Sequence, residues 1–410
     1  MSTVFVHVGQ CGNQVGEHLW KCIAKDGTAK QSHSFTSHDG WHRAVHIDSE
    51  PKVVKKLPKI LKIREKNVIT GKRGRGTNWA FGYHGLKAAG EDHLLENSVE
   101  SIRKEVEKCD FYSGIVLSHS LSGGTGSGFG SRLCEALKDE YPMNYLMSVT
   151  FAPCASGESP LQHYNSLLCL ATLQRLVDGV VLIRNDDVLN RLQKRLPEGQ
   201  VSFAYINKVI AQTLCGLFLP TDTLATSRDV SLGLEPWELL RATCPMPSTK
   251  FLHTTHLAKS KLSWEGLVTQ SLRTVHRFDV NEKPFSSLAG VLVARGDSTG
   301  SFPLALKRGL DQKIKSAWNF VPWNPFPLDV WTAFLNPLGP KEAASVTMAT
   351  NSSCVTEYLH HVCERSKVMM DAGAYLHWYE RYGSSKEDFQ EALNVLESCQ
   401  ADYSSAVKLS

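Results

Sequence analysis

A chain of 410 residues with 42% apolar and 21% charged residues is too long for one ordinary core and too apolar for a disordered or fibrous protein. Its net charge of +4 is modest, and no apolar run approaches the ~18 residues of a membrane span. The N-terminus enters a strand-like run with no basic region or cleavage site, and the eleven cysteines lack metal-ligand spacing, so we expect no signal peptide and reduced intracellular thiols.

The first half alternates strand and helix patterns. TVFVHVG (3–9) is β-rich and leads into Gly12, Gly16 and an amphipathic run to Ala24. RAVHID (43–48) reads as a strand, ENSVESIRKEVEKC (96–109) as a helix and GIVLSHS (114–120) as a strand. GSRLCEALKDEY, MNYLMSVTFAP, LQHYNSLLCLATLQRLVDG and VVLIRN follow as helix, strand, helix and strand. Alternation at these lengths predicts βαβ units and a parallel sheet with ligand sites at strand C-termini. After Asn185 the pattern changes. FAYINKVIAQTLCGLF (203–218) is striped like a buried helix. The region from about 245 to 350 mixes strand candidates, SLAGVLVARG and ASVTMAT, with proline-rich turns such as VPWNPFPLDVW. From Thr356 the pattern is helical, through EYLHHVCERSKVMM, AYLHWYERYG and KEDFQEALNVLESC.

One stretch is strongly basic: Lys52, Lys55, Lys56, Lys59, Lys62, Arg64, Lys66, Lys72, Arg73 and Arg75 oppose the single acid Glu65. It reads first as a solvated helix face and second as a contact for an acidic partner. Without aromatic residues it offers nothing for bases to stack on, so no nucleic-acid partner is expected. The Asn351-Ser352-Ser353 sequon and the Arg295-Gly296-Asp297 triplet are discounted for want of a secretory signal. The His360–His361 pair with Cys363 reads as ordinary helix packing or surface rather than a metal site.

HSLSGGTGSG (119–128) sits between a strand and a helix. That placement gathers unpaired N–H groups and the positive end of a helix, and suits an anion. Glycines let backbone approach phosphate oxygens closely. The lysine of a Walker A loop and the spacing of a dinucleotide fingerprint are both missing, so taken singly the loop reads as a tight structural turn before a nucleotide site. Its neighbours shift the balance. GQCGNQ (9–14) opens a second strand–turn–helix with Gln10 and Gln14, and Asp48 and Glu50 end another strand, where carboxylates can hold hydrated magnesium. Asn185 ends a further strand, and Asn207 lies near the start of the long helix, where amides can read a purine. Together these residues make a nucleotide pocket.

GQCGNQ, DSEP, RKEVEKCD before HSLSGGTGSG, HYNSLL and AYLHWYERYG resemble the tubulin superfamily, in the same order and over nearly the whole chain. The resemblance implies an α/β fold with a parallel-sheet GTP-binding domain (1–186). A central helix with an α+β intermediate domain (187–355) and a C-terminal helical region ending in a hairpin (356–410) would follow. It implies GTP or GDP as ligand and Mg2+ as the cation the loop lacks. Gln10 and Cys11 would line the nucleotide, and Gln14 the base. Ser120, Gly123, Gly124, Thr125 and Gly126 would hold phosphate, and Ser159 would sit on the sugar side. Asn185 and Asn207 would recognise guanine, with Phe203 stacked on it. Glu50, with Asp48 behind it, would serve magnesium, partly through water.

Departures from the family pattern fall in two groups. Ser122 replaces the first glycine of a triplet, Thr77 an asparagine that faces phosphate, and Gln162 a ribose-contacting glutamate; these leave nucleotide binding expected. On the opposite face, VSLGLEPWELL (230–240) puts Gly233, Glu235 and Glu238 where the family completes a neighbour's active site. Glu238 would orient the attacking water in trans; otherwise it is an exposed acid at a helix start. RTVHRFDVNEKPF bears little likeness to a lateral-contact loop, and ADYSSAVKLS is not an acidic tail. The resemblance is therefore to a divergent tubulin of the centriolar or basal-body kind, zeta before delta. It implies a cytoplasmic, cytoskeletal subunit with weak assembly-dependent GTPase activity. Its partners would be other tubulin-family subunits, in longitudinal contact, and centriole or basal-body proteins, with no membrane. The alternatives are a copolymerising microtubule subunit and a GTP-binding regulator that never polymerises.

Overall fold

A computed structural model describes residues 2–24, 34–85, 93–155, 159–194, 201–221, 223–225, 235–260, 262–297, 300–338 and 343–409. In chain order its strands are β1 (Ser2–Val8), β2 (Ala44–Asp48), β3 (Val68–Thr70), β4 (Tyr112–Ser120), β5 (Tyr145–Ala152) and β6 (Gly179–Arg184). They continue with β7 (Thr223–Ala225), β8 (Phe251–Lys259), β9 (Ser287–Arg295), β10 (Leu328–Ala333) and β11 (Ala344–Ser352). The helices are α1 (Gly9–Ile23), α2 (Pro51–Val54), α3 (Trp79–His84), α4 (Leu94–Val106), α5 (Gly130–Glu140), α6 (Gln162–Leu176), α7 (Asn185–Gln193) and α8 (Phe203–Phe218). After them come α9 (Pro236–Thr243), α10 (Trp264–Leu272), α11 (Ser301–Ala305), α12 (Asp311–Trp318), α13 (Val355–Asp371), α14 (Leu376–Glu380) and α15 (Lys386–Lys408).

The strands form one sheet in the order β3-β2-β1-β4-β5-β6-β8-β11-β9-β10-β7. From β3 to β6 every pairing is parallel, as the alternating pattern predicts. The register carries the burial. Val4, Val6, Ile115 and Leu117 face one core, while Phe5 and Val116 face the other, so both sides of the sheet are covered. On the first side lie α5, α6, α13 and α15, through Leu133, Leu170, Leu359 and Leu396. On the second lie α1, α8 and α9, through Leu19, Leu214 and Leu239. The C-terminal helices thus share a core with the first half of the chain.

β6 meets β8 over only two residue pairs, Val180 with Phe251 and Val181 with Leu252, and beyond that seam antiparallel pairing takes over between β8, β11 and β9. A third core of Leu267, Phe302, Ile314 and Trp318 packs there. The stripe read at 203–218 is α8 itself, started by the Ser202 hydroxyl on the Tyr205 N–H. At its far end, Arg295 donates to the carbonyls of Gly216 (3.1 Å), Leu219 and Pro220 (2.9 Å), satisfying groups the helix leaves open. The Arg295-Gly296-Asp297 triplet is therefore internal architecture. So is the sequon, because Asn351 is fully buried and donates to the carbonyls of Thr243 and Thr249.

The basic stretch is not one helix face. It folds as α2, two tight helical turns and β3, and two of its cations turn inward. Arg64 forms ion pairs with Glu105 and Asp39, and Arg75 is 7% exposed beneath the cleft described next.

Candidate functional site: a cleft at the strand C-termini

A cleft of about 700 Å³ opens where β1, β2, β4, β5 and β6 end. Gln10, Cys11, Gln14, Asp48, Glu50, Ser120, Gly123, Gly124, Thr125, Gly126, Asn185, Phe203 and Asn207 all line it. Residues scattered over two hundred positions of sequence converge because parallel strands send all their C-terminal turns to one edge.

The floor is the glycine loop, wound as a wide helical turn at Gly124–Phe129 that runs straight into α5. The start of α1 lies across it. Gly9 adopts φ +73°, and a Cβ there would stand 3.0 Å from the Gly126 N–H nitrogen, so only glycine suits the crossing. Asn13 locks α1 in place by donating to the Gly9 and Ile47 carbonyls (2.9 and 2.8 Å) and meeting His46 at 2.9 Å. On the other flank the Gly124 N–H donates to the Gly76 carbonyl at 3.0 Å. Two glycine-bearing loops are thus pinned back to back, with backbone facing the cleft.

At one end of the cleft lie the carboxylates of Asp48 and Glu50. Burial raises the Asp48 pKa to about 6, against the pull of hydrogen bonds from the backbone of Glu50 and Ser49. The Ser49 hydroxyl meets that of Thr125 at 2.6 Å, tying this strand end to the glycine loop. Two carboxylates and two hydroxyls offer only hard oxygen donors, and charge held at some cost at Asp48 would be relieved by a cation. The set fits Mg2+. At the other end, Asn207, 8% exposed, donates to the Gln14 side chain at 3.4 Å. Asn185 opens α7 nearby, and Phe203 is 67% exposed at the cleft mouth, an aromatic face left for a planar ring to cover.

Ser159 stands outside the cleft lining and meets the Thr77 hydroxyl at 3.4 Å across its rim. Gln162 faces an adjoining cavity of about 270 Å³ instead, where its buried Oε1 lacks a hydrogen-bond partner. Glu238 is elsewhere. It is 3% exposed, and its carboxylate accepts the Glu235 N–H at 3.3 Å in a capping box that starts α9. The exposed helix-start acid expected from sequence is therefore a buried one. Glu235 accepts from Ser113, at the beginning of β4, at 2.7 Å. The nine residues of β4 span roughly 30 Å at about 3.3 Å each, so this acidic pair lies at the edge opposite the cleft. Gly233 falls outside the described residues.

Sequence reading missed four contributors. Ser49 is the serine of the DSEP motif, and Lys52 and Arg75, which line the cleft, were submerged in the basic stretch. Asn165, fully buried in α6, donates to the Thr77 and Ser122 carbonyls at 2.6 and 2.7 Å and so ties both cleft loops to one helix. Only the HYNSLL motif hinted at it. Among the described residues no group of three or more His, Cys, Asp or Glu side chains could hold a metal ion. His361 packs edge-on against His163 at 5.6 Å. No helix of the described residues is long and apolar enough to cross a membrane.

The chain also resembles known proteins. Residues 2–193 match the model of the Tubulin/FtsZ family, GTPase domain. The chain is 29% identical to the tubulin delta chains of Homo sapiens and Macaca fascicularis over 468 aligned residues, covering 98% of this chain and 99% of each relative. It is 26% identical to the nucleomorph tubulin beta chain of Guillardia theta over 439 residues, covering 98% and 95%. These relatives favour the delta kind over the zeta kind that the sequence alone put first.

Proposed function

We propose that the chain, as a divergent, delta-like member of the tubulin superfamily, is a GTP-binding cytoskeletal subunit acting at centrioles or basal bodies. One observation carries the nucleotide reading. Every residue expected to touch guanine nucleotide, apart from Ser159, lines a single cleft whose floor is bare backbone. Phosphates lie on the glycine loop and the start of α5, and the base lies between Phe203 and the amides of Gln14, Asn185 and Asn207. Glu50 and Asp48 would hold Mg2+, partly through water, and the ion would supply countercharge to the phosphates.

Assembly follows from the two opposite edges. A cleft at one end of the sheet and the Glu235–Glu238 helix start at the other suit head-to-tail docking with other tubulin-family subunits, a heterologous contact. Among the described residues the cleft carboxylates are Asp48 and Glu50, and with both serving the cation neither is left as a base for water. Hydrolysis is therefore weak and needs a neighbour, whose Glu238 must leave its capping contact to reach the phosphate.

Location is tested in ciliated cells. A tagged chain concentrated at centrioles or basal bodies supports the reading; uniform labelling of cytoplasmic microtubules, with co-sedimentation of purified chain with microtubules, would favour an ordinary copolymerising subunit instead.

A further inference from the structure

Asn165 makes four hydrogen bonds with one side chain. Its amide nitrogen holds the Thr77 and Ser122 carbonyls, and its oxygen accepts the Trp79 N–H at 2.8 Å and the Tyr379 hydroxyl at 2.7 Å. Thr77 and Ser122 belong to loops that line the cleft, and Trp79 opens α3 just after the first of them. The fourth comes from α14, far along the chain and outside the cleft. Tyr379 is fully buried, with its ring set edge-on to Tyr164 (5.4 Å) and Phe389 (5.1 Å), so its hydroxyl has a fixed aim. The hydroxyl also lies 3.4 Å from the Leu161 carbonyl, a longer and weaker alternative.

The surrounding segment repeats the pattern. Asn78 starts α3 by accepting the Phe81 N–H at 3.0 Å and uses its other end to donate to the Trp378 carbonyl at 3.1 Å. Phe81 stacks on Tyr382 at 4.5 Å, and Tyr164 donates to the Ala374 carbonyl at 3.1 Å. The turn that delivers these groups is held in shape at a cost, because Tyr375 sits at φ +59° without being glycine. Segment 374–382 is thus strapped across the back of the cleft loops.

We propose that Tyr379 is a positioning residue for the nucleotide: through Asn165 it fixes the Thr77 and Ser122 loops and so slows nucleotide release. This rests on the nucleotide reading above. The hydroxyl touches no ligand; it limits the freedom of the amide that anchors both loops. By linkage, a ligand that orders those loops must in turn order the strap.

The test compares wild type with Tyr379→Phe, which keeps the ring packing and removes one donor. Release of a fluorescent GTP analogue should be about threefold to tenfold faster in the variant, the range expected for one hydrogen bond. The unliganded variant should keep a near-wild-type melting temperature. Hydrogen exchange gives a second readout that does not depend on the variant. GTP should slow amide exchange across 374–382 in wild type, although none of those residues lines the cleft. Unchanged release in Tyr379→Phe, or a lowered melting temperature with unchanged release, would overturn the inference and leave Tyr379 as packing. GTP binding without slower exchange in the strap would overturn it as well. Failure of wild type to bind GTP at all would overturn the nucleotide reading itself, a different and separable result.

Discussion

The hydroxyls of Ser49 and Thr125 meet at 2.6 Å, joining the end of β2 to the glycine loop that follows β4. This contact makes one surface out of two βα turns, so substitutions in the loop fall into two kinds. A Cβ on Gly124 would run into the carbonyls of Arg75 and Gly76, and one on Gly126 into Ser120. A Cβ on Gly123 would meet nothing nearer than the Ser120 hydroxyl at 3.5 Å.

Gly123→Ala is therefore the informative variant. Its backbone already has φ −90°, which any residue adopts, so the fold should be unaffected. Its methyl group would occupy space needed by phosphate, and GTP affinity should fall by about tenfold or more, roughly 1.4 kcal/mol. Gly126→Val should lose binding as well, together with stability. Parallel melting curves and binding titrations separate the two; Gly123→Ala binding GTP like wild type would remove the loop from the phosphate site.

Glu238 predicts a rate that depends on assembly. Single-turnover hydrolysis should accelerate as protein concentration rises, because the acid and the cleft lie at opposite edges of one chain. Glu238→Gln keeps an acceptor for the Glu235 N–H, so stability should hold, whereas Glu238→Ala should lose roughly 1 kcal/mol of capping. Both should slow hydrolysis by about 10²-fold without changing the variant's own GTP affinity. A rate independent of concentration, or equal in wild type and Glu238→Gln, would leave the residue as a cap alone.

Acid sensitivity should begin well above the carboxylate range. Burial holds His7 down to about 3, His42 and His119 to about 4, and His46 well below the ordinary imidazole value. These rings are neutral in the folded chain, and His7 must be, since its Nε2 accepts the Trp20 indole N–H at 3.0 Å. Below about pH 6.5 the unfolded chain takes up protons that the folded chain refuses. Stability is thus fully present above that pH and is lost as pH falls towards 4, by up to ~1.4 kcal/mol per pH unit for each histidine. Urea midpoints should drop between pH 7 and 5.5 yet stay level between pH 7 and 8; equal midpoints at pH 7 and 5.5 would contradict the burial of these rings as neutral groups.

The alternating half of the fold was legible because each βαβ unit carries its own period and its own turn. What the sequence concealed has physical causes. β8 (FLHTTHLAK) reads as polar because four of its residues, His253 to His256, line small cavities rather than a dry core. β10 begins directly after Pro327, so its strand pattern merges with the proline-rich turn before it. The cleft was legible as motifs, since strand ends bring short consecutive runs to one edge. The anchor at Asn165 was not, because one of its partners lies 214 residues away and nothing local marks it. Glu238 was legible as a helix-start acid; its burial depends on Ser34 and Ser113 engaging Glu235, a tertiary arrangement without a sequence period.

The amides of Gln14, Asn185 and Asn207 should make this cleft select guanine, and direct titration of the purified chain with GTP and with ATP in Mg2+ measures that selection. Adenine would leave buried amide groups unpaired at about 1–3 kcal/mol each, so GTP should bind at least tenfold more tightly. Asn207→Ala should narrow that difference while leaving the phosphate loops intact. Equal affinity for the two nucleotides, or binding of neither, would mean that this cleft is not a guanine-nucleotide site.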